Sequence, residues 1–243
     1  MLTSIYGLLN CSTSNAAGHC ILMYHAVGTP IADDKLGLYN ISPTLFEKHM
    51  RFIASKHRTA LSALSEKMLR SEHKTVSVTF DDGYADNLIV AKSVLEQLEI
   101  PFTVFVTAGA VAARTSGFLT PEKLKELSEC RFANIGSHGM THRRLAECSD
   151  SDLRAELHDS KQLLEDITGR EISCISYPHG SVNQRVAECA LEAGYRLGAC
   201  SRFEVNRSAP NKMQLSRIDI WAEDSTAILE QKINGNWDWL KWR

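Results

Sequence analysis

No part of the 243-residue chain concentrates basic side chains, and its net charge is only −2. Without a Lys/Arg patch there is no electrostatic footprint for nucleic acid, so no nucleic-acid partner is expected. Long apolar runs are equally absent. Residues 1–17 have no positive n-region, and their apolar run at 5–9 is too short for a signal sequence or a membrane span. Cysteine is sparse and unpatterned, with seven residues at positions 11, 20, 130, 148, 174, 189 and 200 and no C-x-x-C spacing. An odd, scattered set argues against a disulfide framework and for reduced core thiols, hence for a cytoplasmic protein. Internal repeats and low-complexity stretches are missing too. A chain of this length with 44% hydrophobic residues buries one sizeable core, so a single domain over residues 1–243 needs no second unit.

What the chain does contain is an alternation of apolar runs and helical segments. Residues 21–24 read as a strand, followed by a polar loop over 29–38 and a helix to about residue 57. Ser42 is its N-cap and Pro43 takes the first helical position. Strands over 76–80, 102–106 and 132–135 alternate with helices over 86–98 and from Thr120-Pro121 onward, while 107–117 reads as a loop. Ser149 caps a long helix that runs to Thr168 and stops at Gly169. A strand over 172–177, a helix over 183–193 closed by Gly194, and strands near 196–200 and 215–220 complete the series. Repeated βα units predict an α/β fold with a parallel barrel, and either loop could border a substrate groove. Tryptophans crowd the tail at 237, 239 and 242. Packing against the barrel is their expected role, with stacking on sugar rings or lipid headgroups as the alternative.

Two motifs stand at strand ends, where α/β folds place their chemistry. Thr79-Phe80-Asp81-Asp82-Gly83-Tyr84 ends one strand, and Ser137-His138-Gly139-Met140-Thr141-His142 follows another. Either alone is weak. Asp-Asp-Gly is commonly a turn, and His-x-x-x-His without a Glu after the first His is not the helical zinc-protease motif. Together they offer one carboxylate oxygen and two imidazoles, a common ligand set for zinc or a similar divalent ion, with a coordination position left for water or substrate. The second Asp is then free to act as a base. Chemistry alone allows either Asp81 or Asp82 to be the ligand.

In order and spacing these motifs resemble those of the polysaccharide deacetylases, the NodB-homology carbohydrate esterases. Thr79 to Gly83 resembles their first motif, Ser137 to His142 their second, and Ser176-Tyr177-Pro178-His179-Gly180 their third. Ile21-Leu22-Met23-Tyr24-His25-Ala26-Val27 resembles the opening strand of a subgroup that includes the poly-N-acetylglucosamine deacetylases. The resemblance covers about residues 20–222 and implies a distorted, incomplete (β/α) barrel of about seven parallel strands. It also implies Asp81 as general base, with Asp82, His138 and His142 holding a divalent metal, zinc first and Co2+, Ni2+ or Fe2+ as alternatives. Tyr177 would lend its backbone N–H to the oxyanion. Many members take the general acid from a late Leu-x-His motif, but no His follows His179 here. In the subgroup with an N-terminal Tyr-His that role falls to His25, and His179 is the second candidate. Tyr84, Pro178 and His179 would touch substrate.

Three departures from the family pattern matter. Gly139 replaces a Ser or Thr whose hydroxyl supports the His loop, and Thr141 is the candidate substitute. The Arg that often precedes the third motif and pairs with the base is missing. Arg217 is the candidate to replace it, since a guanidinium beside Asp81 would keep it ionised. His179 stands where Tyr is common. The expected activity is metal-dependent removal of N-acetyl groups from an amino sugar in a polysaccharide, oligosaccharide or glycolipid. One rival is a non-catalytic glycan-binding relative, against which the second, unliganded carboxylate argues. Another is an amide hydrolase of the same fold acting on a formylated sugar-lipid or a small cyclic amide. The sequence carries no signal for oligomeric state.

Overall fold

Successive side chains of a strand point to opposite faces, and a parallel sheet covered on both faces reads as a run with little exposed surface. The strands here follow that rule. The structure, a computed structural model, describes residues 18–32, 34–207 and 209–242. Residues 1–17, with Cys11 and the apolar run at 5–9, lie outside the described residues, as does the side chain of Trp242. In chain order the elements are β1 (His19–Tyr24), β2 (Ala26–Val27), β3 (Asn40–Ile41), α1 (Pro43–Lys56), α2 (Glu66–Leu69) and β4 (Thr75–Phe80). Then come α3 (Lys92–Gln97), β5 (Phe102–Val106), α4 (Ala108–Ala112), α5 (Pro121–Glu129), β6 (Ala133–Ser137) and α6 (Asp150–Thr168). The last are β7 (Cys174–Ser176), α7 (Gln184–Glu192), β8 (Leu197–Ala199), β9 (Ile218–Asp219) and α8 (Thr226–Ile233).

Seven strands form one parallel sheet in the order β8-β7-β6-β5-β4-β1-β9, and β2 pairs with β3 apart from it. Leu215 bridges Ala199 in parallel and exchanges backbone hydrogen bonds with Gly198 and Cys200. A few residues later β9 joins β1, with Ile218 opposite Leu22. The stretch 215–219 thus ties the last strand to the first, and the sheet curls into the distorted (β/α) barrel expected from the sequence. On its outer face Leu22, Tyr24, Val78 and Phe80 pack with Phe46 and Met50 of α1. Inside, Ile21, Phe105, Cys174, Leu197, Ala199 and Leu215 meet Leu64 and Met68. Each such buried aliphatic or aromatic side chain contributes roughly 1.5–3 kcal/mol, so these two layers dominate the fold's stability. Packing inside is close enough to dictate one residue type: a Cβ at Gly136 would lie 2.5 Å from the Phe105 ring.

Helix starts follow the expected caps. Ser42 accepts the Leu45 N–H, and Ser149 accepts that of Asp152. Gly169 ends α6 with φ 67°. Elsewhere the boundaries move. The helix expected at 86–98 opens with a π turn over Asn87–Ala91, the expected loop at 107–117 contains α4, and α2 and α8 were not anticipated. In α8 the buried Lys232 pairs with Asp224 at 2.5 Å and lies 3.8 Å over the Trp221 ring. Trp237 packs edge-on against Trp221 at 6.2 Å and is buried, so it has the barrel-packing role. Trp239 stacks on Trp237 and is about half exposed. Among the described residues no helix is long and apolar enough to cross a membrane.

Candidate active site

Register decides which side chains meet. Tyr24 pairs with Phe80, so His25 and Asp81 are the next residues beyond two adjacent strand ends. Met23 pairs with Asp219, and Val106 pairs with Ser137 just before His138. The carboxyl ends of the strands therefore bring His25, Asp81, Asp82, His138, His142, Arg217 and Asp219 to one cleft of about 760 Å³. That volume suits a small-molecule or sugar site. The loop expected to border the groove does so through Ile31, Asp34 and Leu36.

Asp81 and Asp82 diverge because the chain turns left-handed directly after the first, with φ 71° at Asp82 and 82° at Gly83. His142 also has positive φ, at 58°. Asp and His tolerate this region better than most residues, yet such strain costs on the order of 1–3 kcal/mol per residue and collects at functional sites. Asp81 faces the barrel interior. Both its oxygens receive Arg217 N–H groups at 2.7 Å, and Ser176 Oγ donates to it at 3.1 Å. Arg217 is itself buried, with further bonds to Ser176 Oγ and the Cys200 carbonyl. Burial would push the Asp81 carboxyl up, but Arg217 and then His138 outweigh it and hold it well below the usual carboxylate range. This is the pairing proposed for Arg217 from its position on the late strand.

Asp82 turns the other way. Its Oδ1 lies 3.2 Å from His142 Nε2 and 3.5 Å from His138 Nε2. His138 Nδ1 is 2.8 Å from the Ser176 carbonyl. A carbonyl only accepts, so the proton sits on Nδ1 and the Nε2 lone pair faces the carboxylate, the second-sphere arrangement that orients a metal-binding imidazole. Burial lowers the His138 pKa and keeps the ring neutral. For His142 burial acts the same way, but the Asp82 carboxylate prevails and raises it. Ligand atoms of Asp82, His138 and His142 all lie within 4.8 Å of one another, and among the described residues Asp82 Oδ1 is buried without a well-aligned hydrogen bond. A buried anion faced by two imidazole nitrogens suits a divalent cation, which would displace any proton held there.

His25 reaches the same cleft, its ring 4.6 Å from that of Tyr39. The segment after it is clamped from the π turn: Asp86 accepts the Val27 and Thr29 N–H groups at 2.8 and 2.9 Å, and Asn87 donates to the His25 carbonyl at 3.0 Å. Among the described residues, His25 Nδ1 and Asp219 Oδ1 are both buried without a hydrogen-bond partner. His179, at φ 57°, lines the cleft with its ring 4.6 Å from His142.

Three expectations need correction. The Tyr177 N–H is not available to an oxyanion, because β7–β8 pairing continues past the strand end and that group donates to the Ala199 carbonyl at 2.9 Å. Tyr84 stacks on Phe118 at 4.8 Å, and Pro178 is buried beside Gly139; neither lines the cleft. Sequence reasoning also missed Ser176, Asp86, Asn87, Tyr39 and Glu156. Only Ser176, which opens the third motif, and Asp86-Asn87, lying just after the first, carried a signal.

Sheet and site together define a (β/α) barrel with an Asp-His-His cluster and a separate, Arg-paired aspartate at the carboxyl ends of its strands. The chain belongs to the polysaccharide deacetylase family, whose profile matches residues 69–198, more than half of its length. It is 27% identical over 183 residues to YxkH of Bacillus subtilis (strain 168), which carries the same family name, and spans 62% of that relative's length and 73% of its own. Its fold is similar to that of the Streptococcus pyogenes deacetylase PplD, solved in complex with acetate (TM-score 0.79, 24% identity, 90% of this chain and 99% of that one). It is also similar to IcaB from Ammonifex degensii (TM-score 0.71, 22% identity, 91% and 99%).

Proposed function

We propose that the chain is a metal-dependent N-deacetylase that hydrolyses the acetamide of an amino sugar in a polysaccharide, oligosaccharide or glycolipid. The observation that carries this reading is the division of labour between two adjacent aspartates, Asp82 against the imidazoles and Asp81 clamped ionised by Arg217. A divalent cation, zinc in this reading with cobalt, nickel or iron(II) as alternatives, would be held by Asp82, His138 and His142 and would acidify water and polarise the acetamide carbonyl. Asp81 takes the proton of the attacking water. His25, which lines the same cleft, protonates the departing amine. In this reading the backbone N–H of His179 takes the oxyanion role first assigned to Tyr177, while its ring donates to the His142 carbonyl at 3.2 Å. The cytoplasmic placement is also a proposal, supported by six described cysteines that are all free thiols.

Acetate release from N-acetylated oligosaccharides and lipid-linked sugars, with formylated sugar-lipids and small cyclic amides in the same panel, tests the reaction class. Metal analysis of the same sample is expected to find about one divalent ion per chain through the three-ligand set. His138→Ala should lower that content, and full activity in metal-free protein would end the mechanism. The acid is tested separately. His25→Ala should lower kcat with little change in metal content and remove the alkaline limb of the pH profile, because an acid must be protonated to work. If His179→Ala loses that limb and His25→Ala keeps it, the acid is His179.

A further inference from the structure

The loop between the two histidines is supported from a neighbouring helix. Gly139 at φ 73° and His142 at φ 58° both sit in the left-handed region, so the loop needs an outside hold to keep His142 facing Asp82. That hold comes from α6. The carboxylate of Glu156, itself buried, accepts the N–H of Met140 at 2.8 Å and that of Thr141 at 3.0 Å on one oxygen, and the Thr141 hydroxyl on the other. Arg143 Nε lies 3.3 Å from the second oxygen, on the solvent side. One turn further along α6, Ser160 Oγ meets Ser137 Oγ at 2.9 Å, and Ser137 Oγ accepts the Gly139 N–H at 3.1 Å. Glu156 and Ser160 thus brace the loop's two ends from a single helix face.

We propose that Glu156 is a positioning residue that pre-forms the His142 arm of the ligand set, taking over the support that the hydroxyl missing at position 139 would give. The inference rests on the metal-site reading above. The two positions are linked sterically as well as chemically: a Cβ at residue 139 would lie 3.2 Å from Glu156 Oε2, in a backbone region that side chains avoid. Glycine at 139 and glutamate at 156 are therefore one device. A carboxylate suits it because all three groups offered by the loop, two N–H and one O–H, are donors. Removing the carboxylate leaves two part-buried amides without their acceptor and frees His142 to leave the left-handed conformation. Removal of an outer partner of a metal ligand typically weakens metal binding about 10–100-fold.

The test uses Glu156→Ala and Glu156→Gln in the full chain, read by amide hydrogen exchange without added metal and by Zn2+ titration. Glu156→Ala should speed exchange at Met140 and Thr141 by at least about tenfold while β6 amides stay protected, and should weaken Zn2+ binding about 10–100-fold. Glu156→Gln, which keeps one acceptor oxygen, should recover part of both. Unchanged exchange and unchanged Zn2+ affinity in Glu156→Ala would overturn the proposal. If Glu156→Ala does not fold, wild-type exchange and affinity in Glu156→Gln together with Thr141→Val would overturn it equally. A wild-type chain that binds no Zn2+ would sink the metal reading alone, since the exchange arm still decides whether Glu156 holds the loop.

Discussion

Asp81→Asn is expected to lower kcat by at least about 10²-fold while metal content stays near the wild-type value, the scale typical of losing a general base. The substitution is nearly isosteric. One amide oxygen still accepts from Arg217, but the amide nitrogen then faces a guanidinium N–H, and no group at that position can take a proton from water. The Asp82, His138 and His142 cluster does not include Asp81, whose nearer oxygen is 3.8 Å from His138 Nε2 against 3.5 Å for Asp82. Asp82→Asn should therefore lose metal, and Asp81→Asn should keep it. Steady-state kinetics and metal analysis on the two variants separate these roles. Equal metal loss in both would mean that the carboxylates have been assigned in reverse order.

The residues nearest this chemistry were legible in the sequence for a geometric reason. Parallel strands in register end on one side, so polar groups after 76–80 and 132–135 had to converge, and β1 beside β9 had to bring His25 and Asp219 to the same rim. Arg217 was readable as a candidate because it lies on a late strand, although its burial was not. Groups whose role depends on a neighbour's backbone were hidden. Nothing in Tyr177 reveals that its N–H is spent on Ala199. Glu156 looks like one more polar residue of a long, largely exposed helix until the loop it holds is in place. Helix α8 escaped because its buried face includes Lys232, which interrupts the apolar period on which helix reading depends. Helix α4 escaped because its small-residue run has no side-chain cap.

Arg217→Met should be the most damaging change to stability, and its cost should depend on pH. In the native protein Asp81 has a folded-state pKa below its unfolded value, because Arg217 and the imidazoles outweigh burial. Its ionisation therefore stabilises the fold above the unfolded carboxylate value of ~3.9, and that contribution is lost only as pH falls through the depressed folded pKa. Methionine fills a similar volume without charge, so burial acts with its main opponent gone and the Asp81 pKa rises. The sign then reverses: ionised Asp81 becomes a buried, poorly compensated charge, and the variant loses stability as pH rises through the new folded value. Breaking one side of a buried pair costs about 3–5 kcal/mol, and that deficit should be full near neutrality and shrink toward about pH 4. Denaturant unfolding at both pH values measures it, and the acid limb of the rate profile should move upward in parallel, because the base must be ionised to act. Arg217→Lys restores a charge without the two-pronged contact, so it should fall between Met and wild type. A deficit equal at both pH values would show that Arg217 contributes packing alone, and that Asp81 is kept ionised by some other group.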